Sequence, residues 1–572
     1  MTAQRSMFAI GMLLAAIGVA CGSPSAPAGQ RMSGDRPEGS SGPQPTVVFA
    51  VRGEPPSVAA RPVASFSGLL TPPNDLFNAE LDYRDEREAP HPYLAEALPE
   101  LNTDSWKVFP DGTMETAYKL KPNLTWHDGQ PLLAEDFAFA YRVYATPDLG
   151  QSSSAPIGQI QAVDAPDAQT VVIRWNQLYA DAAVLEDGFP ALPSHLLADP
   201  FRTLEPEAFT ALPYWSTDYV GLGPYRVTAW EPGAFIEGQA FDGFVFGKPK
   251  IERIKVAFIP DAQTALANVQ AGEVHYVSDY VLSVPDGLVL EQQWAQDKGG
   301  RVLYTPVTLR YTSFQLRPDY VETPALLDVR IRRAVAFAID AATAVNVLTE
   351  GKGVSTDTLT SPRVDYYAQI ESAIQKHPYD PKRTQQLMEE AGFAKGADGF
   401  FVGRDGQRLQ FSVSSTAGIR NESVAATYVD NLRRSGFDVS QAVVPLAQMR
   451  LPETSAIVPG LQVRGGNNYY ANYTTDAIPR PDNRWHGSNY GGWSSPEYDR
   501  AYDGWLTTLA QPERVKRVAD MERVISEQVP IIPHFFDVQV DPAVAALQGP
   551  VARQTPESGG PFLYAYKWEW RP

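Results

Sequence analysis

The chain has 572 residues, 44% of them hydrophobic and 20% charged, which are ordinary values for a globular protein with room for two to four domains. A formal net charge of −19 argues against nucleic acid and anionic lipid headgroups as partners. The single cysteine is Cys21, so the rest of the chain can build no disulfide, thiolate metal site or cysteine nucleophile. A chain of this length can hold a core without such staples.

The N-terminus reads first. Met7 to Ala20 is apolar and uncharged, with Arg5 ahead of it. The run is too short to span a bilayer and fits a secretory signal peptide over residues 1–20. Ile17-Gly18-Val19-Ala20-Cys21 resembles a bacterial lipobox, with Gly18 where a bulky aliphatic residue is usual. That resemblance implies a lipid on Cys21, which would become the mature N-terminus on the outer side of the membrane. Removing residues 1–20 deletes Arg5 and no acid, so the mature body is one unit more negative. Residues 22–45 are mostly Gly, Ser and Pro, and residues 21–45 read as a flexible, lipid-anchored linker. As a coil it would reach about 25–30 Å.

The folded body is expected from Thr46, opening with a strand at Val47 to Val51. Short strands follow at Thr116–Leu120, Thr170–Trp175, Gly223–Trp230 and Lys250–Ile259. Turns such as Pro110-Asp111-Gly112 and His127-Asp128-Gly129 separate them. A helix starts at Ala134-Glu135-Asp136, with Phe137, Tyr141 and Tyr144 spaced for one apolar face. Past residue 310 helices dominate. Asp328 caps one predicted over 328–349, carrying Ile331, Val335, Ala338, Ala342 and Val345, and Gly351 stops it. Asp380-Pro381 opens a second, closed by Gly392. Val424, Tyr428 and Leu432 mark a third that ends at Gly436. Pro512 opens a fourth that ends before Pro530, followed by an apolar strand, Ile531 to Val540, and a C-terminal piece, Phe562 to Trp570. The pattern is α/β, in at least two lobes.

No Walker-type loop, G-x-S-x-G elbow, H-E-x-x-H pair or EF-hand loop occurs. The seven histidines are scattered, none within four residues of another, so no local metal motif exists and no cofactor is expected. Gly221-Leu222-Gly223 runs into Pro224, which has no N–H for a phosphate, and reads as a turn.

An ordered series of segments resembles the peptide-class extracytoplasmic solute-binding proteins of ABC importers, which bind oligopeptides, dipeptides, nickel complexes and some oligosaccharides. The segments begin with Gly53-Glu54-Pro55-Pro56-Ser57 and Tyr93-Leu94-Ala95-Glu96, and continue through Trp126-His127-Asp128-Gly129-Gln130-Pro131. They go on to Gly221-Leu222-Gly223-Pro224-Tyr225 and Ala271-Gly272-Glu273-Val274, with His275 in place of the usual Asp. Asp328 to Asp340, Tyr379 to Phe393 and Ser495-Pro496-Glu497-Tyr498-Asp499 complete the series. The resemblance implies a two-lobed periplasmic-binding-protein-like fold with mixed sheets, a cleft and two hinge crossings. Carried over, lobe one is 46–305 with 540–572 returning to it, and lobe two is 310–537. The hinges fall near Thr308–Ser313 and Asp537–Asp541. The implied activity is capture of a solute between the lobes, without covalent chemistry, and delivery to an ABC permease with its ATPase. The protein is expected to act as a monomer.

Peptide binders of this family place an acid in lobe two that pairs with the ligand amine. The matching tract here is Gly465-Gly466-Asn467-Asn468-Tyr469-Tyr470-Ala471-Asn472-Tyr473-Thr474-Thr475-Asp476. It lacks that acid unless Asp476 substitutes for it. Asn467, Asn468, Tyr469, Tyr470 and Asn472 instead offer neutral donors, acceptors and stacking faces. Phe66, Tyr311 and Phe314 are further expected cleft-lining residues. The ligand is thus expected to be an oligopeptide or similar polar solute, with an oligosaccharide or another neutral polar solute as the alternative. A surface hydrolase with a spatially assembled acid pair, and a signalling or adhesion module without transport, are the competing classes.

Overall fold

This computed structural model describes residues 46–63, 73–149, 152, 155–185, 188–449, 451–466, 469–483, 485, 487–556 and 560–571. The signal peptide, Cys21, the linker, Phe66, Asn467 and Asn468 lie outside the described residues.

Eleven described strands form one sheet that runs through the body. In chain order they are β1 (Val47–Val51), β2 (Tyr225–Glu231), β3 (Phe235–Ala240), β4 (Arg253–Phe258), β5 (Tyr276–Val277), β6 (Gly300–Phe314), β7 (Val354–Ser355), β8 (Gln410–Thr416), β9 (Asp438–Val444), β10 (Leu461–Gly466) and β11 (Ile531–Val544). Their spatial order is β9-β8-β10-β6-β11-β5-β1-β4-β3-β2, with β7 paired to β11. The strands at one end bury Val47, Phe49, Tyr225, Ile236 and Val256 in a core shared with Trp126, Phe137 and Trp568. Those at the other end bury Phe411, Val413, Val439 and Leu461 in a second core with Ile331 and Leu432.

The two cores are joined through β6 and β11, which are 15 and 14 residues long and antiparallel from Gly300↔Val544 to Ser313↔Ile531. Neither strand is regular. The register slips between Pro306 and Thr308 and again between Arg310 and Tyr311. Pro306 and Pro533 each remove a ladder donor, and bulges bend and twist a strand where they occur.

A smaller antiparallel sheet of Trp106–Val108, Met114–Lys119, Thr170–Trp175 and Ile160–Asp164 lies beside the first core. Helix α1 (Ala134–Tyr144) packs on it through Phe137, Ala140, Val143 and Tyr144, all fully buried. Asp136 near the start of α1 accepts from Trp126 Nε1 at 3.1 Å and from Ser194 N at 3.0 Å. His127 is a structural residue: Gly221 N–H donates to its Nδ1 at 3.2 Å, so Nε2 carries the proton toward Gly223 O at 3.0 Å. Burial lowers its pKa to about 4 and keeps it neutral. The two glycines are needed there because a Cβ on either would lie 2.2 Å from the Phe77 backbone.

The predicted helix over 328–349 is two helices, α2 (Val329–Phe337) and α3 (Ala341–Thr349). Each has its own aspartate cap: Asp328 accepts from Arg330 N and Asp340 from Thr343 N. Helices α4 (Pro381–Glu390), α5 (Ile419–Ser435), α6 (Pro496–Thr507) and α7 (Gln511–Gln528) follow. Gly436, at φ 107°, adopts the left-handed stop that its place after α5 requires.

Candidate functional site

In the second core β8 is parallel to both β9 and β10, and β6 is antiparallel to β10. The carboxyl ends of β8 and β10 therefore lie beside Leu309 and Arg310, where β6 leaves for the first core. In open α/β sheets ligands sit outside the carboxyl ends of strands. The crossing pair β6–β11, these strand ends and the loops after them make up the candidate site.

Asp537 of β11 holds the crossing together. Arg310 Nε donates to its Oδ2 at 3.1 Å, and Arg420 donates to both oxygens, at 3.1 and 2.6 Å. Arg310 also bonds Asn421 at 2.9 Å, and Arg420 reaches Leu348 O at the end of α3. One buried carboxylate thus ties the start of α5 and the end of α3 to the crossing, with one positive charge in excess. Gly465 gives Arg310 its place: a Cβ there would be 2.5 Å from the guanidinium.

Four residues on, β11 is different. Asp541 is buried, and its polar partners are neutral: Gln539 Nε2 bonds it at 2.9 Å and also bonds Ser278 at 2.8 Å. Burial pushes the Asp541 carboxyl up to about 6, with nearby Asp279 adding to the rise against the pull of Arg553 and the hydrogen bonds. Asp279 and Tyr280 both have left-handed backbones, φ 59° and 56°, a conformation that is costly for residues other than glycine. The Tyr280 hydroxyl reaches β6 at Thr308 Oγ1, 2.7 Å away. Nothing in local spacing pointed to Asp537, Asp541 or Tyr280 as a group; their partners are remote in the chain.

Of the residues singled out by sequence, Tyr311 is on β6, directly opposite Arg464 of β10. Phe314 is fully buried in the second core, against the expectation that it lines the cleft: odd spacing from Tyr311 puts it on the other face of the strand. Tyr470 is also committed inside, bonding Glu522 at 2.9 Å and Thr360, while its carbonyl accepts from Tyr498 at 2.7 Å. Tyr469 and Asp476 are exposed, and Asn472 is partly buried in the short helical turn Tyr470–Tyr473. Among the described residues no group of three or more His, Cys, Asp or Glu side chains is placed to hold a metal ion, and no helix is long and apolar enough to cross a membrane.

Residues 96–493 match the family of bacterial extracellular solute-binding proteins, family 5, middle region. The oligopeptide-binding protein AppA of Bacillus subtilis is 23% identical over 448 residues, 76% of each chain. Its structure in complex with a nonapeptide superposes with a TM-score of 0.69 at 19% identity, covering 92% of this chain and 99% of that one. The dipeptide-binding protein of Escherichia coli K12 is 23% identical over 472 residues, 77% of this chain and 81% of its own. NikZ from Campylobacter jejuni, solved with Ni(L-His), gives a TM-score of 0.71 at 21% identity, covering 92% of this chain and all of that one. These are binding proteins, which removes the hydrolase reading. The two-lobed α/β fold, the crossing strands and the match over most of the body lead to one conclusion: the chain belongs to the family 5 extracellular solute-binding proteins of ABC importers.

Proposed function

We propose that the protein is a lipid-anchored, monomeric receptor that captures an oligopeptide or similar polar solute between its lobes and hands it to a permease with its ATPase. Lobe one is 46–305 with 540–572, lobe two is 310–537, and the hinges lie near 308–313 and 537–541. The observation that carries this reading is the β6–β11 pair, whose two register slips fall between the cores. Two long strands interrupted at the crossing bend there more easily than within either core. Contacts away from the crossing agree with lobes that meet: Arg514 grips Asp181 with bonds of 2.5 and 2.6 Å, and Lys352 pairs with Glu291 at 3.1 Å. The peptide assignment draws on the printed functions of AppA and the dipeptide-binding protein.

Full-length protein in detergent tests the reading. A saturating pool of short random-sequence peptides is expected to raise the unfolding temperature, since ligand at one hundred times its Kd stabilises by about 2.7 kcal/mol. A shift with oligosaccharides alone would move the assignment to a sugar, and no shift with either would defeat the receptor reading. For the anchor, Cys21→Ser is expected to release the protein from membranes with unchanged ligand affinity. Retention of that variant through high-salt and carbonate washing would refute lipidation.

A further inference from the structure

Two segments remote from each other in the chain meet without using the crossing strands. One is the loop after the strand Thr170–Trp175, in lobe one, and the other is the turn from α6 into α7, in lobe two. Arg514, in the first turns of α7, donates through Nη1 and Nη2 to the two oxygens of Asp181, at 2.5 and 2.6 Å. Ala180 N–H donates to Leu506 O at 3.2 Å, and Leu509 packs against the first core. The ion pair is largely enclosed, with Arg514 13% and Asp181 27% exposed. Among the described residues Asp181 is the one carboxylate that pairs with Arg514.

Each half of this contact is fixed inside its own lobe. On the lobe-one side the Tyr118 hydroxyl donates to Ala182 O at 2.7 Å, Tyr179 stacks on Trp175 at 5.0 Å, and Asp82 accepts from Leu185 N–H. On the lobe-two side the Arg514 guanidinium lies 4.5 Å from the centroid of the Trp505 ring, and Trp505 itself packs on Tyr502 and Tyr470. The two surfaces can therefore part and rejoin without remodelling either, so closure orders few groups. A guanidinium that takes a carboxylate through two parallel N–H groups keeps its geometry where solvent reaches the edge of the pair. Lys352 and Glu291 make a second contact between the lobes, with Nζ 3.1 Å from both carboxylate oxygens and 4.2 Å from the Tyr304 ring centroid. That pair is more exposed, and its ammonium is a strongly hydrated point charge, so it holds less firmly.

We infer that Asp181 and Arg514 form a latch between the lobes that gives the protein a closed state with no solute in the cleft. The inference rests on the two-lobed receptor reading and on the lobe boundaries given above. It places part of the affinity in a contact between the lobes and not in contacts to the solute. Losing the latch lowers the closed fraction, and a solute held by the closed form is then bound more weakly and leaves sooner.

The test uses full-length protein in detergent and fluorescence energy transfer between a dye on each lobe, with no solute added. Wild type is expected to show a population at short interlobe distance. Asp181→Asn and Arg514→Gln are each expected to lower the ratio of closed to open by about 10-fold, the lower part of the range for charge-assisted bonds because the pair is not fully buried. The two together should do no more than either alone, because they remove one contact. Lys352→Gln is expected to change the ratio by about 3-fold or less. Asp181→Arg and Arg514→Asp should each open the protein, and the two combined should restore part of the closed population, which a purely structural role would not produce. A short random-sequence peptide pool, once bound, is expected to leave Arg514→Gln about 10-fold faster than wild type. The inference is overturned if wild type shows no closed population without solute, if the single variants leave the distances unchanged, if the reversed pair fails to restore closure, or if a bound pool leaves both proteins at the same rate. If no peptide pool binds while the distances respond as stated, the peptide reading fails and the latch stands.

Discussion

Asp537 and Asp541 are the same residue type four positions apart on one strand, both buried, and the fold treats them in opposite ways. Asp537 meets two guanidiniums and joins two helices, α3 and α5, to the crossing. Asp541 meets Gln539 and Ser278, and its charged form is disfavoured. Both carboxylates are buried, and they differ in whether guanidiniums or neutral groups meet them. The crossing thus has an aspartate crosslinked by two guanidiniums and, four residues on, one held by neutral groups with a raised pKa. Only the first ties separate helices to the crossing strands.

Removing the charged end has the larger expected effect. Asp537→Ala leaves Arg310 and Arg420 without their shared carboxylate. Breaking a buried pair in this way costs about 3–5 kcal/mol, at the lower side here because Arg420 is partly exposed. Chemical denaturation at neutral pH is expected to show that loss. Because the clamp also fixes how α3 and α5 meet β6, fluorescence energy transfer between dyes on the two lobes should report a broader distance distribution without ligand. A stability loss under about 1 kcal/mol would mean that the arginines find other partners and the clamp is incidental.

Local signals in the chain were readable and long-range ones were not. Asp380-Pro381 and Gly436 marked helix ends because caps act within a few residues. The break between α2 and α3 was also written locally, in Asp340 three residues before Thr343, but the unbroken apolar spacing from Ile331 to Val345 concealed it. Strand β6 went unread over most of its length. Its partner β11 lies far along the chain, and Pro306 with the two register slips erases its alternation. At the site, the family resemblance directed attention to the acid missing after Gly465. Arg464, just before that tract, faces Tyr311 across the sheet and lies over the Tyr490 ring, neighbours that are remote in the chain. Phe314 was misplaced by proximity to the crossing, although its odd spacing from Tyr311 already placed the two side chains on opposite faces.

Asp541 makes a smaller prediction of the opposite sign. The Asp541 carboxyl titrates at about 6 in the fold, against 3.8 as the ordinary value. A folded pKa above the unfolded one means that the folded state keeps its proton longer. The stability this contributes is complete below about pH 4 and is lost as pH rises through 6. At pH 7.5 the ionised group burdens the fold by about 3 kcal/mol, taking 1.36 kcal/mol for each pH unit between the two values. Asp541→Asn keeps an acceptor for Gln539 and removes the charge. It is expected to be more stable than wild type at pH 7.5, by as much as that figure, and equal to it at pH 4. Denaturation midpoints at the two pH values measure the difference directly. An equal gap at both would mean that the substitution acts through packing and not through titration. A destabilised variant at pH 7.5 would mean that Arg553 neutralises Asp541 in the fold, and the two aspartates would then be alike.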